Sequence, residues 1–411
     1  MWSCTEGAPH VDRRALLGRV SPALLSALFF VMTGGSGSFV PFLGLYLERS
    51  GASGPELAFY LATMPFARIV AGPLWAMFAD RFRRGDRILV WTTAASAGLA
   101  AVVLLPVPPV VLGLALVLFA IARAPIGPLL DTMAVRALHD AGRDVRDYGR
   151  IRLWGSLGYL LVGGAASLIA SAHPAGALWL AVGAWVSAAV FALRLPRTPA
   201  APPTTIGPAL RALSARRFAV PYGLGLVFAG AGLNVYDALY AVHLASRGLP
   251  SAWLGLALAA GIATEMSLMA WGGPILRRVD PFALAALAML AGVVRWGLTA
   301  WLHDPWLLTA VQASHGLVFG AFWLASVEIF RARAPAVVQN SAQSALTTIS
   351  YGVGPLLTSA ATWACLDRFG TDGLFALAAG STAIAGALFV IAGVADAREV
   401  DADHSAIRPR K

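Results

Sequence analysis

The chain has 411 residues, of which 58% are hydrophobic and 13% are charged, and its formal net charge is +10. Soluble globular domains carry about 25% charged residues, so this composition excludes a soluble protein and indicates one that crosses a membrane many times. Each helical crossing needs about 20 apolar residues, and at that length the sequence accommodates twelve crossings with short connections.

The arginines fall mainly in alternate connections, as the positive-inside rule requires of cytoplasmic ones. In a soluble protein this charge would suggest nucleic acid, but here it reports topology, and no nucleic-acid partner is expected. The pattern predicts a multi-pass protein of the inner (plasma) membrane with both termini in the cytoplasm. The basic connections contain Arg13, Arg14 and Arg19; Arg81 to Arg87; Arg136 to Arg150; Arg194 to Arg217; Arg277 and Arg278; Arg331 and Arg333; and Arg398 to Lys411.

The first span runs from Val20 to Leu47 and is too long for the apolar region of a signal peptide. It is therefore expected to be an uncleaved helix. Its glycines and Pro41 predict a broken, flexible middle of the kind tolerated where a helix lines a cavity.

The second span runs from about Glu56 to Ala79, carries Arg68, and continues into the segment ADRFRR. Asp80 and Arg81 begin the charged part of that segment. They belong either to a solvated charge run or to a gating latch, whose acid meets a basic residue or a helix N-terminus in one conformation only.

Two intramembrane charges lie on consecutive spans, Asp131 in the fourth and Arg152 in the fifth. A charge at the centre of a span costs about 2.5 to 3.5 kcal/mol, so we expect each to be the partner of the other. The alternative is that Arg152 is an interfacial anchor. A face of small residues favours the first interpretation, because it brings a neighbouring helix close: Gly155, Ser156, Gly158, Gly163 and Gly164. For Arg68 and Arg123, a structural pair and a place on the substrate path remain equally open.

A proline-rich segment divides the chain into two halves, residues 1–195 and 218–411, joined by a cytoplasmic linker over residues 196–217. Prolines forbid a continuous helix through it. The halves share short features at corresponding places, such as Gly72-Pro73 and Gly273-Pro274 near the ends of the second and eighth spans. This duplication predicts an all-α membrane protein built from two pseudo-symmetric six-helix bundles.

The second half carries five polar or ionisable groups on four successive spans: Tyr236, Asp237, Glu265, Arg295 and His315. Burial raises a carboxyl pKa, so that a membrane-embedded glutamate such as Glu265 can hold a proton near neutral pH. Asp237 follows Tyr236, whose hydroxyl could stabilise the charged form of Asp237 and lower its pKa. Glu265 is therefore the favoured proton carrier, with Arg295 or His315 as the group that expels the proton. A permanent ion pair between Glu265 and Arg295 is the alternative.

Several segments resemble the major facilitator superfamily, and within it the oligosaccharide and nucleoside proton symporters and especially the phenylpropionate permeases. They are ADRFRR, VPFLGLYL, PLLD, YGRIRLWGSLGY, VVRWG and QASHGLVFG. By that resemblance Asp131, Arg152 and Tyr159 bind substrate, and Arg295 and His315 belong to the coupling site. The sequence departs from the family where Ala76 replaces a loop glycine and where Val318 replaces the carboxylate that takes the proton. Glu265 or Asp237 must then carry the proton, if the protein is coupled.

These observations predict a secondary transporter that works by alternating access and takes up a small organic anion, such as an aromatic carboxylate, with protons. The anion is favoured because Arg68, Arg123, Arg152 and Arg295 outnumber the buried acids. A sugar or nucleoside symporter and a drug efflux antiporter are the alternatives. The sequence has no HExxH-like spacing or phosphate-binding loop, so we do not expect an enzyme, a bound metal or a cofactor. The expected energy source is the proton gradient, and the protein is expected to be a monomer.

Overall fold

The structure is a computed structural model, and it describes residues 21–82, 84–140, 148–196, 211, 214–334 and 345–407. Within these ranges the chain is almost entirely helical and has no strand. A helix satisfies its own backbone hydrogen bonds in lipid, which is why the apolar stretches of the sequence adopt this form. The predicted all-α fold with twelve spans is confirmed.

We number the spans α1 to α12 in chain order. The first half contains α1 (Pro22–Arg49), α2 (Gly54–Phe82), α3 (Gly85–Val103), α4 (Pro109–Arg123 and Ile126–Asp140), α5 (Tyr148–Ala170) and α6 (Pro174–Ala192). The second half contains α7 (Ala219–Ser246), α8 (Ala252–Ala270 and Gly272–Leu276), α9 (Pro281–Trp301) and α10 (Pro305–Gln312, a π-helical turn Gly316–Gly320, and Ala321–Arg333). The last two spans, α11 and α12, comprise a π-helical turn Ile349–Val353 and the helix Gly354–Ile407.

Nine helical segments of the described chain are long and apolar enough to cross a membrane. One of them, Ala345–Glu399, contains both α11 and α12, which are separated where Gly370 adopts a φ of 64°. Only glycine adopts this conformation readily. The helices Gly54–Phe82 and Ala252–Ala270 complete the set of twelve.

Local sequence explains where several spans begin. Proline occupies the first helical position of α1, α4, α6, α9 and α10, where its missing N–H costs nothing. Asp280 and Asp304 also cap α9 and α10, because their carboxylates accept hydrogen bonds of 2.9 Å from the backbone N–H groups of Ala283 and Leu307.

The expectation of a broken α1 is wrong, because the helix is continuous from Pro22 to Arg49 with Pro41 inside it. Its glycines serve packing instead. A side chain at Gly34 or Gly37 would collide with α5, and one at Gly35 would collide with the indole of Trp185 in α6. The same residues that suggested a flexible helix therefore bring α1 close to its neighbours.

Each half has its own aromatic core. Phe39, Phe119 and Trp185 join α1, α4 and α6 with ring centroids 4.8 to 5.3 Å apart, and an equivalent cluster around Tyr222 joins α7, α9 and α12. Across the two halves α1 packs against α7, α2 against α11, and α5 against α8. The central site lies among these three pairs.

Two predictions fall outside what the structure describes. The side chains of Asp80 and Arg81 are not among the described ones, although their backbone belongs to the last turns of α2. Most of the linker over residues 196–217 is likewise outside the described ranges. The gating latch and the linker boundaries therefore stay predictions.

Candidate substrate and proton-coupling cavity

A cavity of about 240 Å³ lies between the two halves and is lined by α1 and α5 on one side and by α7 to α11 on the other. It brings together seven of the residues that the sequence singles out: Arg152, Tyr159, Tyr236, Asp237, Glu265, Arg295 and His315. Pockets for drug-sized ligands measure about 300 to 1,000 Å³. The space therefore suits one small solute.

The α5 wall is positioned by glycines, as the small-residue face predicts. A Cβ at Gly158 would lie 2.1 Å from the carbonyl oxygen of Phe30, so α1 and α5 touch backbone to backbone. The hydroxyl of Thr33 donates to the carbonyl oxygen of Gly155 at 2.5 Å and ties the two helices at this level. A Cβ at Gly155 would lie 2.7 Å from Nη1 of Arg152, so this glycine also leaves room for the guanidinium beside the cavity.

Asp131 does not line the cavity. Its carboxylate accepts a hydrogen bond of 2.6 Å from the hydroxyl of Tyr148, at the start of α5. No direct ion pair joins Asp131 to Arg152 in the described structure, although Arg152 interacts electrostatically with both Asp131 and Tyr148. The two predicted partners are thus neighbours linked through a tyrosine.

The two other arginines of the first half have different surroundings. Nη2 of Arg123 donates to the hydroxyl of Ser36 at 2.7 Å, and its guanidinium lies 4.5 Å from the ring centre of Trp185. It therefore belongs to the core of the first half and not to the cavity wall. Arg68 of α2 lies over the ring of Tyr351 of α11 at 5.5 Å, a cation–π contact that crosses between the halves.

In the second half, Arg295 is almost completely buried, with 1% of its surface exposed. Its Nε and Nη2 both donate to Oε1 of Gln312, at 2.9 and 2.7 Å. Its guanidinium also lies 4.7 Å from the ring centre of Tyr236 and 4.2 Å from that of Trp296. Amide and aromatic groups thus hold this cation, and no direct ion pair with Glu265 is present in the described structure.

The third nitrogen of Arg295, Nη1, lies 3.0 Å from Nδ1 of His315, and Nε2 of His315 lies 3.4 Å from Oε2 of Glu265. A guanidinium only donates, so Nδ1 must accept, and the imidazole proton is on Nε2, facing the carboxylate. Glu265 and His315 keep 27% and 21% of their side-chain surface exposed. Both side chains are therefore partly accessible from the cavity, whereas Arg295 lies in the cavity wall almost completely covered by its neighbours.

Gln312 is a site residue that the sequence analysis missed. It is fully buried, and its Nε2 donates to the hydroxyl of Thr299 at 3.1 Å, which fixes its oxygen toward Arg295. A signal was present, because Gln312 precedes His315 by three residues and lies on the same helical face. A neutral amide in an apolar span attracts less attention than a charge.

Two π-helical turns flank the cavity, after His315 in α10 and around Tyr351 in α11. Such turns occur frequently at functional sites. Close contacts hold both. A Cβ at Gly316 would meet the backbone of Thr264 at 2.4 Å, and one at Gly230 would meet the carbonyl oxygen of Ser350 at 2.0 Å.

The ends of the helices that the predicted topology faces outward are closed together. Ser251, at the start of α8, donates its backbone N–H to the hydroxyl of Ser171 at 2.5 Å and its own hydroxyl to the carbonyl oxygen of Ser167 at 2.6 Å. A Cβ at Gly44 of α1 would lie 2.5 Å from the carbonyl oxygen of Ala238 in α7. We call the serine contacts the outer seal.

Within the described chain, twelve helices in two bundles enclose a polar cavity that is sealed at one end, an architecture of the kind found in secondary transporters. The pattern of the MFS_1 like family matches residues 23–377. The chain therefore belongs to the MFS_1 like family, within the major facilitator superfamily.

Several proteins similar to this chain are named as transporters. A maltose permease of Geobacillus stearothermophilus is 30% identical over 82% of this chain and 84% of its own length, and a xanthosine permease of Escherichia coli (strain K12) is 24% identical over 82% and 86%. Among solved structures, the nucleoside transporter NupG has a TM-score of 0.79 at 18% identity over 90% of this chain and 98% of its own. A point mutant of the peptide transporter POT has a TM-score of 0.71 at 14% identity, over 95% of this chain and 99% of its own.

Proposed function

We propose that the protein takes up a neutral sugar or nucleoside together with protons across the inner membrane, with its termini in the cytoplasm and as a monomer. The observation that carries this proposal is the charge balance of the cavity. Its lining contains two arginines, Arg152 and Arg295, and two carboxylates, Asp237 and Glu265. The excess of arginines that favours an anion in the sequence depends on Arg68 and Arg123, neither of which lines the cavity.

Uncharged polar groups around the cavity support the same solute class. The hydroxyls of Tyr159, Tyr236 and Tyr351 and the amide of Asn234 line it, and none has a hydrogen-bond partner within the described part of the chain. The three tyrosines also bring aromatic rings to the cavity wall. Hydroxyl-rich solutes with one flat face suit this combination of free donors, free acceptors and aromatic surface.

The named relatives are consistent with this class. A maltose permease and a xanthosine permease match most of the chain, and their names indicate a sugar and a nucleoside. Peptide transport belongs to a structural neighbour at 14% identity, which supports the fold alone.

For proton coupling, the triad of Glu265, His315 and Arg295 is the proposed site. The carboxylate faces an imidazole that holds its proton on Nε2, and both reach the cavity. A proton taken from the cavity can be held by Glu265 and given back when the bundles rock. In this proposal Glu265 takes the role of the carboxylate that related symporters have at the position of Val318.

The test is uptake into proteoliposomes of the purified protein with an inside-alkaline gradient, using radiolabelled maltose, uridine and 3-phenylpropionate. Accumulation of maltose or uridine that collapses with a protonophore is the expected result. If 3-phenylpropionate accumulates and neither maltose nor uridine does, the solute is an aromatic carboxylate and the proposal is wrong. Solute expulsion driven by the same gradient in inverted vesicles would indicate efflux.

Aromatic carboxylate uptake is the second candidate because of one observation. Arg152 lines the cavity, is exposed, and has no direct ion pair with a described carboxylate. A guanidinium in this state matches a carboxylate bidentately. The same uptake assay decides between the two candidates.

A further inference from the structure

A groove on the outer surface of the first half lies between α3 and α6, away from the cavity. It has a volume of about 450 Å³ and is lined by valines, alanines, a leucine and one glycine, including Val90, Ala94 and Gly98 of α3 and Val186, Val190 and Leu193 of α6. The three α6 residues are 47 to 68% exposed, so the groove opens toward lipid. Its α3 lining, residues 90–101, extends over about 17 Å of helix, slightly more than the ~15 Å depth of one membrane leaflet.

Two arginines flank the end of this groove that the predicted topology faces toward the cytoplasm. Arg87 precedes Val90 by one helical turn and therefore lies on the same face of α3, and Arg194 directly follows Leu193. Both are exposed. In the described part of the chain the side chain of Arg87 makes no hydrogen bond or ion pair, and that of Arg194 contacts only the ring of Phe191, at 6.0 Å.

The carboxylate next to Arg87 in the chain is already bonded to another arginine. Asp86 is held by Arg84 through two hydrogen bonds of 3.0 and 2.7 Å, and only 9% of its side chain is exposed. Helix α3 begins at Gly85, next to the same end of the groove, with Asp86 in its first turn. An apolar groove of leaflet depth thus ends in a positively charged mouth.

We propose that the α3–α6 groove is a binding site for one anionic phospholipid of the cytoplasmic leaflet. An acyl chain occupies the apolar groove, and the phosphate lies between Arg87 and Arg194. Basic pockets between membrane helices at this level recognise anionic lipid head groups. A zwitterionic lipid could fill the groove equally well but would gain less from the two arginines.

The experiment measures lipid retention by native mass spectrometry, and unfolding temperature in detergent, for the full-length protein with added dioleoylphosphatidylglycerol, dioleoylphosphatidylcholine or glycerol 3-phosphate. The wild type should retain phosphatidylglycerol in preference to phosphatidylcholine and should unfold at a higher temperature with it. The double variant Arg87→Gln/Arg194→Gln should bind phosphatidylglycerol about 25-fold more weakly, at about fivefold for each basic group near the surface.

Matched variants separate the groove from general charge and packing effects. A Cβ at Gly98 or at Gly183 would meet no atom within 4 Å, so either glycine accepts a side chain, but only Gly98 lines the groove. Gly98→Leu should reduce phosphatidylglycerol retention, whereas Gly183→Leu should not. Arg277→Gln/Arg278→Gln removes two exposed charges from the second half and should also leave retention unchanged.

Four results would each overturn the proposal. They are equal retention of phosphatidylcholine, wild-type retention by Arg87→Gln/Arg194→Gln, wild-type retention by Gly98→Leu, and stabilisation by glycerol 3-phosphate equal to that by the lipid. The last would indicate a phosphate site that does not use the groove. None of these results depends on which solute the protein transports.

Discussion

Nη1 of Arg295 donates a hydrogen bond of 3.0 Å to Nδ1 of His315, and this contact fixes the imidazole as the tautomer whose proton faces Glu265. While the arginine stays in place, Nδ1 cannot accept a proton, because its lone pair is occupied by a group that never deprotonates. His315 is then neutral, which leaves Glu265 as the member of the triad that our proposal makes the proton carrier. Movement of Arg295 would change this division of roles.

The first prediction concerns Glu265→Gln, which keeps the shape of the side chain but cannot release a proton. We expect the variant to lose proton-driven accumulation and to retain exchange of labelled for unlabelled solute across the membrane. Uptake and counterflow in proteoliposomes measure the two activities separately. Glu328→Gln is the control, since Glu328 is paired with Arg331 at 2.6 Å and does not line the cavity. Uphill accumulation by Glu265→Gln would exclude it as the coupling group.

The second prediction concerns Gln312, whose single oxygen accepts two hydrogen bonds from Arg295. Hydrogen bonds to a charged group are worth about 1.5 to 3 kcal/mol. Gln312→Leu should therefore lower the free energy of unfolding by about 3 kcal/mol, because the buried guanidinium loses both. Gln312→Glu keeps an oxygen that can accept from Arg295, so it should lower the free energy of unfolding by less than Gln312→Leu does. Equal stability of Gln312→Leu and the wild type, measured by denaturant titration in detergent, would contradict the assigned contact.

The sequence predicted the positions of the charged groups well, for a physical reason. A charge in an apolar span is costly unless it has a partner or a polar cavity, so Asp237, Glu265, Arg295 and His315 on four separate helices had to converge or face water. The twelve helices follow equally directly from the length of the apolar runs. The structure brings those groups to one cavity.

Other features depend on how a helix is rotated, and no single sequence reports this. Arg123 and Arg152 both look like isolated intramembrane cations, yet one is packed against Ser36 and Trp185 and the other lines the cavity. Gln312 was missed because a neutral amide carries no obvious insertion penalty. The glycines of α1 suggested flexibility, since their sequence pattern cannot distinguish a hinge from a close helix contact.

The third prediction uses this contrast between two arginines. Arg152→Lys should abolish transport while the protein still inserts, because an ammonium cannot reproduce the planar donor pattern of a guanidinium. Asp131→Ala is expected to have the same effect, through loss of the contact to Tyr148. Arg123→Lys should reduce stability but leave the KM for the solute unchanged, since Arg123 does not line the cavity. Unchanged uptake by Arg152→Lys would make that residue an interfacial anchor.

The fourth prediction concerns the close contact of α1 and α5. Gly158→Ala places a methyl group 2.1 Å from the carbonyl oxygen of Phe30, and such overpacking costs about 1 to 3 kcal/mol. Gly164→Ala, on the same helix, meets no atom within 4 Å and should be neutral or slightly stabilising. Thermal unfolding of the two variants, purified side by side, measures the difference. Equal unfolding temperatures would show that α1 and α5 are not in backbone contact.

The fifth prediction concerns the outer seal, where the hydroxyl oxygens of Ser171 and Ser251 are 2.8 Å apart across the two halves. Alternating access requires this contact to open once in every cycle. Cysteines at the two positions should form a disulfide, because the facing side chains are close enough for its geometry. The background for this pair is Cys4→Ser/Cys365→Ser, which removes both cysteines of the sequence. Oxidation of Ser171→Cys/Ser251→Cys should stop solute uptake, and a reducing agent should restore it, whereas Ser171→Cys alone should be insensitive to the oxidant. If the cross-linked protein transports as fast as it does after treatment with the reducing agent, the moving contact lies elsewhere and the outer seal is not part of the transport cycle.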